Sequence, residues 1–218
     1  MPLYDRAGEV LALLSAKGVF NKPFLLVVHS MGGLLVKQMA RLAEDTRQYH
    51  AAFDNCAGIV FLATPHTGSD LASLATFLGF YAGANVSLRE LQREAPAMRD
   101  LNLWFRGYIE RRGLPVTVCR ETQKTGPVMV VDLASSDPGL VGVVPISIEC
   151  NHIEISRPGS SEHPVAQIVL GSLRDFLAAG PIRLRDKSKG FNVVEGVRAG
   201  GDINIQQTFA PDKSGGFS

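Results

Sequence analysis

Ser30 stands where an apolar run meets a helical pattern, in "FLLVVHSMGGLLVKQMA". A hydroxyl becomes a useful nucleophile when a strand, a tight turn and a helix together throw it outward. The turn exposes the oxygen, and the N–H of the next residue, here Met31, points to where an oxyanion develops. The positive end of the helix favours that charge. Gly32 eases such a turn, whereas Val28, two residues before the serine, is β-branched and crowds it. A helix N-cap is the other use of serine at this position, and the local pattern accommodates both. His29, immediately before Ser30, is expected to brace the turn.

A serine needs a base, and the base needs an acid to orient it. His152 follows an apolar run in "VVPISIECNH", and Glu121 ends another in "LPVTVCRETQ". Asp132 closes "VMVVD", and Asp137 lies farther along. Thr64, Pro65 and His66 follow "GIVFLA". His50 and His163 have polar contexts and no evident task.

These residues share a position relative to the elements that would carry them. Leu3–Ala16 alternates on a helical period, with Gly18 as a stop. Phe24–Val28 and Ile59–Ala63 are continuous apolar runs, as expected of strands buried on both faces. Helical spacing returns over 32–42 and over 71–112, with breaks expected at Gly79, Gly83 and Pro96. "LPVTVCRETQ", "VMVVDLAS" and "VVPISIECNH" read as further strands, and Pro164–Ala179 as a last amphipathic helix. Strands alternating with helices predict an α/β fold with a mainly parallel sheet. Ligands then bind at the carboxyl ends of the strands. Ser30, Thr64–His66, Glu121 and His152 all fall there.

A chain of 218 residues suits one domain with a substantial core. A formal net charge of +1 gives no electrostatic reason to expect nucleic acid as a partner. Cys56, Cys119 and Cys150 lie in or beside apolar runs and read as buried, reduced thiols of a cytoplasmic protein. No metal-ligand spacing is present, and no metal or other cofactor is expected. No apolar stretch is long enough for a transmembrane segment. The first residues read as an amphipathic helix, not a secretory signal.

Three blocks, "VVHSMGGLLVKQMA", "GIVFLATPHTGSDLA" and "IECNHIEISRP", resemble the serine-active-site lipase-like branch of the α/β-hydrolases. That branch includes PGAP-like lipid hydrolases and lipase-like domains attached to immune receptors. The resemblance covers about Ala7–Leu177, with the blocks in the family's order. It implies Ser30 as nucleophile and His152 as its base, with serine, acid and histidine in the order this fold uses. Glu121 matches the family's "ET" turn and Asp132 a second recurrent aspartate, so the acid is Glu121 or else Asp132, with Asp137 third. Met31 N–H would serve as an oxyanion donor. His29, Thr64 and His66 would lie at the substrate loop, where His66, in a loop built around Pro65 and Gly68, either contacts substrate or, as its setting favours, holds the loop closed by hydrogen bonding.

The resemblance also implies earlier strands and a His-Gly loop that supplies another oxyanion donor, and neither is visible before the first helix. Relative to the family the sheet is therefore expected to be N-terminally truncated, with an exposed edge that invites pairing with another chain. Leu78, Phe80, Tyr81, Trp104 and Phe105 either line an acyl pocket or form plain core.

The domain expectation is an α/β-hydrolase-like domain over 1–180, a charged linker over 181–190 and a Gly-rich, β-prone or disordered tail over 191–218. Residues 191–209 are expected to self-associate or to bind a partner protein. Two functions follow from these readings. One is a serine hydrolase acting through an acyl-enzyme on a small-molecule or lipid ester. The other is a catalytically weak module that works through protein interaction.

Overall fold

Continuous apolar runs pair as parallel strands when helices cover both faces of the sheet. The computed structural model describes residues 2–67, 71–81 and 88–179. Within them, β1 (Phe24–His29), β2 (Cys56–Leu62), β3 (Val116–Glu121) and β4 (Ile146–Ile148) form one sheet in the order β1-β2-β3-β4. Every pairing is parallel. The helices are α1 (Leu3–Ala16), α2 (Met31–Asp45), α3 (Leu71–Tyr81), α4 (Leu88–Arg112), α5 (Leu133–Ser136) and α6 (Pro164–Ala179). The chain is thus an α/β protein with a parallel sheet and flanking helices.

Alternation along β2 shows how the core is divided. Successive side chains of a strand point to opposite faces, and every residue of β2 is buried. Ile59 and Phe61 join Val36 and Met39 of α2 with Phe105 and Tyr108 of α4. Val60 and Leu62 join Cys119, Ile148 and Val165 on the opposite side. The covering is thinner over β1, where Val27 is 44% exposed. Among the described residues β1 pairs with β2 alone, so its other side is a sheet edge.

Three expected features differ from the structure. The run "VMVVDLAS" is not a strand. Adjacent N–H groups of a strand point in opposite directions, but those of Val130 and Val131 converge on one oxygen of Glu121, each at 3.0 Å. Only an isolated bridge, Thr125 with Val128, has strand character here. Nor does Pro96 break its helix, because α4 runs through it. A proline removes one donor and crowds one carbonyl. The turns beyond it are anchored by Met98, Leu101, Phe105 and Tyr108, all buried. Gly79 likewise lies within α3.

Burial pushes the thiols of Cys56 and Cys119 up to about 12 and that of Cys150 to about 11, and all three cysteines are free. Among the described residues no helix is long and apolar enough to cross a membrane. Gly68, Gly83, the side chains of Phe80 and Tyr81, and residues 180–218 with the tail segment 191–209 lie outside what is described.

Gly33 marks the closest approach between α2 and the segment after β2. A Cβ there would collide with the Thr64 side chain and come within 2.9 Å of the Phe61 ring. A Cβ on Gly32 would meet nothing nearer than Val28 Cβ at 3.9 Å. Gly33→Ala is therefore expected to destabilise the protein by about 1–3 kcal/mol through overpacking. Gly32→Ala should be neutral or stabilise by up to about 1 kcal/mol, because alanine is the better helix former. Urea unfolding of the two variants beside the native chain checks the contrast.

Candidate active site

Ser30 lies between β1 and α2 with φ 53° and ψ −128°. That left-handed backbone costs a non-glycine residue on the order of 1–3 kcal/mol and persists only when its surroundings hold it. Here the Ser30 N–H donates to Leu62 O at 3.0 Å, and Gly33 N–H donates to Ser30 O at 3.1 Å. The turn is tied to the neighbouring strand on one side and to the helix on the other. The side chain makes no capping hydrogen bond. Its Oγ instead lies 3.0 Å from His152 Nε2. Met31, the first residue of α2, has no intrahelical acceptor for its N–H.

His152 follows β4 and is fully buried. Its backbone N–H donates to Thr125 Oγ1 at 3.0 Å, and its Nδ1 lies 2.5 Å from Glu121 Oε2. Glu121 accepts through Oε2, so Nδ1 carries the proton and Nε2 is left to accept from the Ser30 hydroxyl. Glu121 is also fully buried, with Oε1 taken by the N–H groups of Val130 and Val131. Parallel register places these groups together, since His29 pairs with Leu62 and Glu121 with Ile148 at the carboxyl ends of their strands.

The other two candidate acids, Asp132 and Asp137, each accept a hydrogen bond from a nearby backbone N–H. Asp132 caps α5, accepting from Ser135 N–H at 2.7 Å. Asp137 accepts from Gly139 N–H at 2.7 Å.

His29 donates from Nε2 to the backbone carbonyl of His152 at 2.8 Å, and the two rings lie 4.6 Å apart. Burial, aided by the nearby His152, lowers its pKa to about 4. The ring of Phe77 meets His152 at 4.7 Å, edge to face. Leu74, Val130 and Val131 form a buried apolar cluster there, with Met31, Phe77 and Leu78 packed against it. Phe105 lies elsewhere, in the core against Phe61, and Trp104 stacks on Tyr108.

Thr64 and His66 turn away from solvent, both at 0% exposure. His66 Nδ1 faces Lys37 Nζ at 2.6 Å, and Lys37 also donates to Asn102 Oδ1 at 2.7 Å. Burial lowers the Lys37 pKa to about 7. Burial and this lysine together hold His66 well below the usual imidazole range. Lys37, Asn102, Thr125 and Phe77 did not emerge from the sequence as site residues. Only Lys37 carried a local signal, as a lysine on the apolar stripe of α2.

No family model matches the chain. The chain is similar to Protein SERAC1 of Bos taurus, with 33% identity over 178 residues, 79% of this chain and 27% of that protein. Against Protein SERAC1 of Homo sapiens the identity is 31% over 178 residues, with the same shares covered. Against that of Danio rerio it is 31% over 183 residues, 82% of this chain and 28% of the relative. The chain spans about a quarter of the length of the curated relatives it matches. This partial homology and the parallel α/β architecture fit a hydrolase-like protein.

The lowered pKa values of His29 and Lys37 bear on stability. Between about pH 4 and 6.5 the unfolded chain binds a proton at His29 that the folded chain refuses, so His29 makes stability rise with pH there. Lys37 does the same between about pH 7 and 10.5. Urea unfolding at pH 4.5 and 6.5 should show a smaller pH slope for His29→Gln than for the native chain. Measurements at pH 7.5 and 10 should do so for Lys37→Met.

Proposed function

We propose that the protein is a serine hydrolase that cleaves an ester through an acyl-enzyme. The observation that carries this reading is His152 held between Ser30 Oγ at 3.0 Å and the Glu121 carboxylate at 2.5 Å. The resemblance of the three sequence blocks to lipase-like α/β-hydrolases supports the same assignment. In this mechanism Ser30 Oγ attacks the ester carbonyl carbon while its proton passes to His152 Nε2. Glu121 stabilises the resulting imidazolium and keeps the ring oriented. The carbonyl oxygen gains negative charge beside Met31 N–H and the positive end of α2. Collapse of the tetrahedral species expels the alcohol, which takes the proton from His152. Water then repeats the sequence, releasing the carboxylic acid and restoring Ser30.

The substrate class we favour is an ester with an apolar acyl group, lipid esters included. The apolar cluster of Leu74, Val130 and Val131, with Phe77 against the His152 ring, supports that preference. A second reading, interaction with another chain, is favoured by the side of β1 that pairs with no strand among the described residues and by the exposed Val27.

A fluorophosphonate probe tests the hydrolase reading. The native chain should label, and Ser30→Ala and His152→Ala should abolish labelling. Glu121→Gln should slow it by about a thousandfold or more, as expected when the group orienting the histidine loses its charge. Asp132→Asn, which keeps a capping side chain, should remain within about threefold of native. A folded native chain that does not label would sink the enzyme and shift the weight to interaction at the sheet edge. A loss at Asp132→Asn as large as at Glu121→Gln would overturn the choice of acid.

A further inference from the structure

Lys37 is a fully buried lysine, and its hydrogen-bond partners among the described residues are an imidazole and an amide. From the segment after β2 it meets His66 Nδ1, and from α4 it meets Asn102 Oδ1. The ring of Phe61, from β2, lies 5.7 Å from Nζ, and that of Phe105, from α4, lies 5.2 Å away. The next cation along α2, Arg41, pairs outward with Asp100 at 2.6 Å. Burying an amine or ammonium is costly unless it is hydrogen-bonded, and an apolar side chain of similar volume would fill the space without that cost. The groups that receive Lys37 come from separate elements, which makes it a tie between them.

The tie bears on the candidate nucleophile. Lys37 lies about two turns along α2 from Ser30. Ala63, at the carboxyl end of β2, has φ 45°, a second strained backbone beside that of Ser30. It sends Thr64 against Gly33 in the first turn of α2, and His66 onward to Lys37. The same segment is fastened beyond by His66 N–H to Ser135 O at 2.7 Å, and Asn102 Nδ2 donates to Pro138 O at 3.1 Å.

We propose that Lys37 is a positioning residue for the Ser30 centre. Through His66 and Asn102 it clamps the segment 63–67 and α4 onto α2, and so sets where Ser30 and the Met31 N–H stand. The role rests on the hydrolase reading, but the clamp itself can be measured without activity. Lys37 and His66 are both fully buried, and in this proposal both act through the first turn of α2.

The test compares the native full chain with Lys37→Met, His66→Leu and His66→Asn, the last keeping an acceptor for Lys37. Hydrogen exchange is followed over residues 24–36 and 60–67, and fluorophosphonate labelling rates are taken below each thermal midpoint. Lys37→Met and His66→Leu should exchange faster in those two segments than in the rest of the fold, and should label about tenfold more slowly or worse. His66→Asn should stay near native in both. Labelling of Lys37→Met within about twofold of native would overturn the positioning role. So would a slow rate that tracks a general loss of folded protein, with exchange raised everywhere. If Lys37→Met does not fold, the His66 pair decides: equal behaviour of His66→Leu and His66→Asn overturns the proposal. A native chain that labels nowhere sinks the hydrolase reading and the catalytic part of this one. Local exchange then decides whether the clamp exists.

Discussion

The Glu121 carboxylate has no exposure to solvent, and its two oxygens are divided between two tasks. Oε1 collects the N–H groups of Val130 and Val131, and Oε2 receives Nδ1 of His152. A buried carboxylate is tolerable only when its lone pairs are filled by donors. Here the donors are supplied by the chain that follows β3 and by the turn that follows β4. One side chain therefore shapes the 128–131 segment and fixes the histidine ring. Because it stands at the end of β3, it ties both to the parallel sheet.

The sheet makes this arrangement possible. In a parallel sheet every strand delivers its carboxyl end to the same edge, and the crossovers return the chain to the opposite one. The turns after β1, β2, β3 and β4 thus lie side by side. Two of them carry strained, non-glycine backbones, Ser30 and Ala63. Each N–H there is held by a carbonyl of the adjacent strand, Leu62 O for Ser30 and Cys119 O for Ala63. Strain of this size survives because it is bonded on the strand side and packed on the helix side. Behind the turns lies the polar set of Lys37, His66 and Asn102, enclosed by Phe61 and Phe105. The edge of the sheet thus holds one polar network around Ser30 and another beneath it, separated by the first turn of α2.

Much of the architecture was legible in the sequence because its signals are local. The apolar runs at Phe24–Val28 and Ile59–Ala63 became β1 and β2, and the helical spacing after Gly32 became α2. The run "VMVVD" misled for a physical reason: β-prone residues extend the chain, but whether extended chain joins a sheet depends on where its N–H groups find acceptors. A side-chain oxygen outcompeted the ladder. At Pro96 the local rule was outweighed by packing farther along α4.

The site divides along the same line. Sequence alone determined that a serine sits at a strand-to-helix junction, and that a histidine and several carboxylates follow apolar runs. It put Glu121 ahead of Asp132 without excluding the latter, since both close such runs. Only the tertiary structure decided which of them faces His152, because Asp132 caps α5 through a local hydrogen bond whereas Glu121 reaches a residue from another strand. Lys37 is the clearest case. On α2 it is one lysine on an apolar stripe, and its acceptors lie 29 and 65 residues away in the chain. Short-range patterns are written in neighbouring residues, but a buried polar contact between distant segments exists only once the fold has brought them together.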